Sequence, residues 1–217
     1  MMNSERIPRN LFLFGASAGG LKALIGILNQ LPAEFPATVG IVLHRSPTFE
    51  SALDEILSRR ASLPVVEPTD GDPIGSGRIY VAPRDFHMLV HGNRWRLSRG
   101  PKVHWARPAV DPLFISGAES RGPQVAGVLL SGGGADGVSG LIAIKAAGGV
   151  CIAQDPDEAM APSMPRSAIE EDHIDAIMRT HEIAAVLPAL AAGNPIRASA
   201  VRSGGSAGSV RRASSGL

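Results

Sequence analysis

The chain has 217 residues, 44% of them apolar and 19% charged, with a formal net charge of +1. That length and composition suit one folded domain, and they exclude a disordered chain. One Cys excludes a disulfide framework and a thiolate zinc centre, and the small net charge offers nucleic acid no footprint.

The first ten residues lead into only a short apolar stretch, and no apolar run approaches the ~18 residues of a membrane span. The reading is a cytoplasmic protein without signal peptide or direct membrane insertion. Residues 11–14 form an apolar run closed by Gly15, and Leu21, Leu24, Ile25, Leu28 and Leu31 then recur on one helical face. Residues 39–43 read as a second buried strand, and Leu53, Ile56 and Leu57 mark a helix. Runs without polar alternation are what a parallel sheet covered on both faces requires.

The middle changes character. Residues 78–82, 86–90 and 94–97 are short apolar or mixed runs, with Gly92-Asn93 between the last two. A two-residue Gly-Asn loop signals an antiparallel hairpin, expected beside or inserted into the parallel sheet. Alternation then resumes: a helix over 110–118, a strand over 125–130, a helix over 138–147 and a strand over 150–153. A short helix over 165–170, a strand over 174–178 and a helix over 182–192 follow. The expected fold is α/β: a three-layer α/β/α, doubly wound, mainly parallel sheet with an antiparallel hairpin. Residues 1–190 are read as the domain, and the Ser/Gly/Ala/Arg-rich stretch 191–217 as a disordered tail.

Three strand ends carry candidate chemistry. Gly15-Ala16-Ser17-Ala18-Gly19 fits G-x-S-x-G between a strand and a helix, the context in which that turn exposes a nucleophilic hydroxyl. The bland alternative is a Gly-rich phosphate-binding turn with Ser17 as its cap. A hydroxyl needs a base within reach. His44 closes the second strand, at the sheet edge where open α/β folds bind ligands. His87, His91, His104, His173 and His181 sit on the hairpin, in a loop or at the opposite ends of their elements. Asp136, the only acid in the loop Ser131–Gly137, supplies the group that would orient the imidazole.

The same loop holds a rival pattern. Gly132, Gly134 and Gly137 make G-x-G-x-x-G after a strand, and Asp155 closes the next strand where a ribose-binding acid would stand. That reading is a dinucleotide-binding oxidoreductase, although Asp136 would set a carboxylate beside the pyrophosphate.

GASAGG, VLHRSPTF, RIYVAP, RPAVDPLF, LLSGGGADG and MPRSAIE occur in this order. With them the chain resembles the catalytic domain of the chemotaxis receptor methylesterase (the CheB family) over residues 11–190. The resemblance implies an α/β/α sandwich and hydrolysis of γ-glutamyl methyl esters on chemoreceptors, with deamidation of receptor glutamines in many members. It implies Ser17, His44 and Asp136 as the triad, and a methylated chemoreceptor as partner. Three positions depart from the family's usual motifs: Ala18 stands for Thr, Arg45-Ser46-Pro47 follows His44, and Gly133 replaces a Met whose backbone helps hold the oxyanion. Ala18 and Gly133 are the expected oxyanion donors, and Arg166 is a candidate substrate contact. Only 16 residues precede Ser17, too few for the receiver domain that covers the site in many members. The expectation is therefore an uncovered site, in a stand-alone esterase or in a piece of a longer protein.

No cofactor or metal is expected, since His87 and His91 lack further ligands. Cys151 reads as a buried small hydrophobe. Seven basic residues between 78 and 107 face one acid, Asp85. They read as a solvated hairpin, or as a steering surface for a glutamate-rich helix. A non-catalytic receptor-docking module is the remaining alternative.

Overall fold

The structure is a computed structural model that describes residues 6–45 and 52–196. Seven parallel strands form the central sheet in the order β3-β4-β2-β1-β7-β8-β9. They are β1 (Leu11–Ala16), β2 (Thr38–Leu43), β3 (Val65–Val66), β4 (Arg78–Val81), β7 (Val125–Leu129), β8 (Val150–Gln154) and β9 (Ala176–Met178). Their side chains alternate between two cores, as the period of two requires. Phe12, Phe14 and Ala16 of β1 face one core, and Leu11 and Leu13 face the other. β2 and β7 behave alike, so both faces are apolar and the sequence runs without polar interruption.

Helices α1 (Gly20–Leu28), α2 (Leu53–Ser58) and α6 (Thr180–Ala191) cover the first face. Helices α3 (Val110–Arg121), α4 (Val138–Ala146) and α5 (Ser163–Glu170) cover the second. The expected three-layer, mainly parallel architecture is the one observed. The chain moves from β1 outward to β2, then returns to lay β7 on the other flank of β1. The carboxyl end of β1 is therefore the switch point where such sheets bind ligands.

The hairpin forms as expected, from β5 (His87–His91) and β6 (Arg94–Ser98), but as a separate two-stranded sheet. Its Trp95 is fully buried against Tyr80, with ring centroids 5.0 Å apart. The run at 78–82, grouped with the hairpin by its sequence, instead joins the main sheet as β4, parallel to β2. Ile79 and Val81 lie in one core and Tyr80 in the other, which only a central strand satisfies. The two-residue β3 carries too little pattern to be anticipated.

The helix read at 110–118 continues to Arg121. Cys151 is buried as expected, which pushes its thiol up to about 12. Of the expected tail, Ile196 still packs against the first core, and residues 197–217 lie outside the described residues. So do Ser46 and Pro47 of the motif after His44. No helix among the described residues is long and apolar enough to cross a membrane.

Candidate active site

Parallel register brings the first two candidates together. Ala16 pairs with Leu43, and the His44 N–H donates to the Ala16 carbonyl at 2.9 Å. Ser17 and His44 are the next residues on the two strands, at a backbone spacing of about 4.8 Å. Ala16 and Leu43 face the first core, so the alternation turns Ser17 and His44 toward α3 and α4. Just beyond Ser17, Gly19 caps α1 at φ 76°, a left-handed conformation that glycine enters without a Cβ penalty. On the other flank the Ser17 N–H donates to the Ser131 carbonyl at 2.9 Å, so the turn is held from both sides.

The third candidate is also in place. Asp136 is 1% exposed, and His44 Nε2 lies 2.7 Å from its Oδ2. The same oxygen accepts the Val110 N–H at 2.7 Å, and Oδ1 accepts the Asp111 N–H at 2.9 Å. Val110 and Asp111 open α3, so the carboxylate sits on a helix N-terminus, where the dipole favours negative charge. Burial works to raise the Asp136 pKa. The bonds from His44, Val110 and Asp111 outweigh it and hold the carboxyl below its ordinary value. A charged Asp136 accepting from His44 Nε2–H leaves Nδ1 with its lone pair, as a base. Among the described residues no hydrogen bond joins Ser17 Oγ to His44. Such bonds are commonly long in resting sites and tighten with substrate.

Asp111, not among the residues singled out from sequence, completes the arrangement. It is 4% exposed, and its Oδ1 accepts the N–H groups of Gly137 and Gly140 at 3.0 and 2.7 Å. Those residues open α4. Each carboxylate thus caps the other's helix: Asp136 caps α3, and Asp111 caps α4. Asp111 Oδ2 also faces His104 Nε2 at 3.0 Å. Burial, reinforced by the nearby Asp136 charge, raises the Asp111 pKa against the opposing bonds from Gly140 and His104. An Asp directly before Pro112 at a helix start was the available sequence signal.

Two further residues brace the loops. Ser131 Oγ donates to the Ala18 carbonyl at 2.7 Å and accepts the Ala161 N–H at 2.9 Å. Gln154 Oε1 accepts the Ser131 N–H at 2.8 Å. The loops after β1, β7 and β8 are tied together through these two side chains.

The expected oxyanion donors, Ala18 and Gly133, are both exposed, and among the described residues neither N–H has an acceptor. Arg166 is exposed on α5, and its guanidinium forms no hydrogen bond or ion pair among the described residues. Its neighbour Met164 is buried against Gly132. The other histidines have structural or exposed positions. His87 is buried, with Nε2 on the Pro101 carbonyl and Nδ1 accepting the Ala109 N–H. His91 is exposed.

The ligand atoms of His104, Asp111 and Asp136 lie within 4.8 Å of one another. Both Asp136 oxygens and Asp111 Oδ1 already accept the backbone N–H groups that open the two helices, and Asp111 Oδ2 faces the His104 ring, so an Asp136 oxygen could bind a cation only in competition with those bonds. The dinucleotide pattern meets a similar obstacle. The N–H groups of Gly137 and Gly140 that would hold a pyrophosphate are taken by Asp111, and Asp136 lies buried in the same loop. Asp155 is turned to its own loop, accepting the Asp157 N–H, and lies 3.7 Å from Arg179.

A concavity lined by Ile7, Arg9, Val150, Asp175, Leu190 and Asn194 opens at the opposite edge, where the strands begin. It contains none of the candidate residues. Several cations of the basic segment have local partners. Arg107 pairs with Asp85, Arg96 approaches Asp70, Arg94 donates to the Gly71 carbonyl and Arg99 lies over Phe86.

The sequence pattern of the CheB methylesterase family matches residues 12–187. A protein-glutamate methylesterase/protein-glutamine glutaminase of Symbiobacterium thermophilum is 39% identical over 181 residues, 83% of this chain. The chain spans only half that relative's length, 50%. A Leptospira interrogans relative of similar name is 35% identical over 184 residues, covering 84% of this chain and 93% of its own. The crystal structure of the Thermotoga maritima CheB methylesterase catalytic domain superposes with a TM-score of 0.80 at 33% identity. That match covers 83% of this chain and 98% of the other.

Proposed function

Since the chain belongs to the CheB methylesterase family, we propose that it is a cytoplasmic serine esterase. Its substrate is the γ-glutamyl methyl ester of a chemoreceptor. The observation that carries the reading is the hydrogen bond between His44 and the buried Asp136, with His44 following the strand pair Ala16–Leu43 just as Ser17 does.

Ser17 Oγ attacks the ester carbonyl while His44 Nδ1 takes its proton. Asp136 holds the imidazole and stabilises it once charged. The N–H groups of Ala18 and Gly133 donate to the oxyanion, and a preorganised pair of this kind is worth several kcal/mol, roughly 3 per donor. His44 then returns the proton to the methoxy oxygen, the C–O bond breaks and methanol leaves. Water attacks the acyl-enzyme as His44 accepts its proton. The Ser17 ester bond breaks, the hydroxyl recovers the proton, and the receptor keeps a free glutamate. With a receptor glutamine the same steps release ammonia. Arg166 stands on the neighbouring helix as a contact for the receptor.

The test is methanol release from a methylated chemoreceptor. Ser17→Ala and His44→Ala should each lower turnover by roughly 10⁴-fold or more. The double variant should be little worse, because the two side chains serve one proton transfer. Multiplicative losses would contradict the mechanism, and full turnover in Ser17→Ala would end it. Binding without turnover by the unaltered chain would favour a docking module.

A further inference from the structure

Residues 103–106 form a tight turn in which Val103 and Ala106 exchange backbone hydrogen bonds of 3.1 and 2.9 Å. At its tip His104 and Trp105 both have positive φ, 48° and 62°. A bulky residue rarely holds that conformation unless its surroundings impose it. The His104 ring, itself exposed, bonds the buried Asp111, which places the turn beside the carboxylate pair of the site. Trp105 points outward and is 94% exposed. The chain's other tryptophan, Trp95, is fully buried.

On the other side of Ser17 stands Met160, 75% exposed. Its Cβ lies 2.6 Å from the position a Cβ on Gly19 would take, so it borders the Ser17 turn itself. Three large apolar side chains are exposed among the described residues: Ile56, Trp105 and Met160. Two of the three therefore flank the candidate site, from the α3 side and from the α1 side. Exposed cations accompany them, Lys102 three residues before Trp105 and Arg166 on α5.

We propose that Trp105 and Met160 are the apolar contacts of a docking surface for an amphipathic helix of the substrate protein. One apolar stripe of that helix rests on both side chains, its carboxylates face Lys102 and Arg166, and the esterified glutamate between them reaches Ser17. Tryptophan suits such a contact because it gives a large rigid area with a polar N–H. This rests on the esterase reading and adds where the protein substrate is held.

On a methylated chemoreceptor, Trp105→Ala and Met160→Ala should each lower kcat/KM about tenfold, chiefly through KM, with Trp105→Phe recovering most of the loss. Hydrolysis of a small neutral methyl ester should stay within about twofold of the parent. Equal losses on both substrates, or no loss on either, would overturn the proposal. Binding has its own readout, because Trp95 is already shielded. An unesterified acidic, amphipathic helical receptor peptide should shift Trp105 emission to the blue and protect it from acrylamide. An unchanged spectrum would overturn the proposal. So would a Trp105 already protected before the peptide is added, since a segment of this chain or a second copy would then occupy the surface. If the unaltered chain hydrolyses neither substrate, the esterase reading fails, and the fluorescence titration still decides whether an acidic helix docks here.

Discussion

Two glycine-rich turns leave the sheet at the same edge, after β1 and after β7, and treat their polar residue in opposite ways. Both enter a helix through a left-handed glycine, Gly19 at φ 76° and Gly137 at φ 98°. The turn after β1 leaves Ser17 partly accessible, whereas the turn after β7 buries Asp136 at 1% exposure. The difference lies in what covers each turn. The amino end of α3 lies against the second and donates two N–H groups to Asp136, so the carboxylate gives up water without giving up hydrogen bonds. The amino end of α4 is meanwhile satisfied by Asp111. In the proposed mechanism the nucleophile must meet substrate, while the orienting acid works best dry and fixed. One backbone device would then support both roles, with the neighbouring helix deciding which.

Removing the buried acid should separate the two turns most sharply. Asp136→Ala leaves the His44 ring and the Val110 and Asp111 N–H groups without their acceptor. Activity should fall by about 10³–10⁴-fold, as expected for loss of an orienting carboxylate. Urea unfolding should show destabilisation of about 1–3 kcal/mol, the cost of buried unsatisfied groups. Ser17→Ala should leave stability within about 0.5 kcal/mol of the parent, because its hydroxyl makes no hydrogen bond among the described residues. Equal destabilisation by the two substitutions would show that the turns do not differ in the way described.

A second comparison lies within the β7 loop. A Cβ on Gly132 would come 2.9 Å from Ser17 Cβ and 2.5 Å from Met164 Cε. The flexible Met164 can give way, but the Ser17 turn cannot without displacing the hydroxyl. Gly132→Ala should therefore cost up to about 10²-fold in kcat, the scale of a 1 Å misplacement. At Gly133 a Cβ meets nothing within 4 Å and φ is not in the left-handed range. Gly133→Ala should keep its stability within about 0.5 kcal/mol and keep its N–H for the oxyanion. Kinetics of the pair on a small ester would show whether the loop acts by shape at 132 and by its backbone at 133.

The smallest effect concerns the two carboxylates in acid. Asp136 has a lowered folded pKa, so its stabilisation is present above the unfolded value of about 3.9 and is lost as pH falls through the folded value. Asp111 has a raised folded pKa, so its effect runs the other way. Its carboxyl favours the fold at low pH, and that advantage is lost as pH rises from about 3.9 through the raised value. Asp111→Asn keeps an acceptor for Gly137 and Gly140 and removes the titration. Its stability relative to the parent should rise with pH across that window, by at most about 1.4 kcal/mol per pH unit. A constant difference between the two denaturation curves would contradict the opposed shifts.

Much of this site was legible in the chain because a parallel sheet brings every strand's carboxyl end to one edge. Once the runs at 11–14, 39–43 and 125–130 read as buried parallel strands, Ser17, His44 and Asp136 had to emerge together. The hairpin was legible too, since Gly92-Asn93 is a local turn signal. Local patterns could not tell that the run at 78–82 leaves the hairpin for the main sheet. Which strand a short apolar run pairs with depends on the two cores it bridges, not on its own residues.

The sequence by itself determined the periodicities, the turn chemistry and the polar residues at the strand ends, all of which rest on near neighbours in the chain. The tertiary structure alone decided that Asp111 and Asp136 cap each other's helices and that Ser131 ties the β1 loop to the β8 loop. It also decided that His104 and Trp105 part, one toward the carboxylates and one toward solvent. These choices join residues far apart in the chain or set a side chain's direction, and burial settles both. A carboxylate withdrawn from water must find N–H groups wherever the fold presents them.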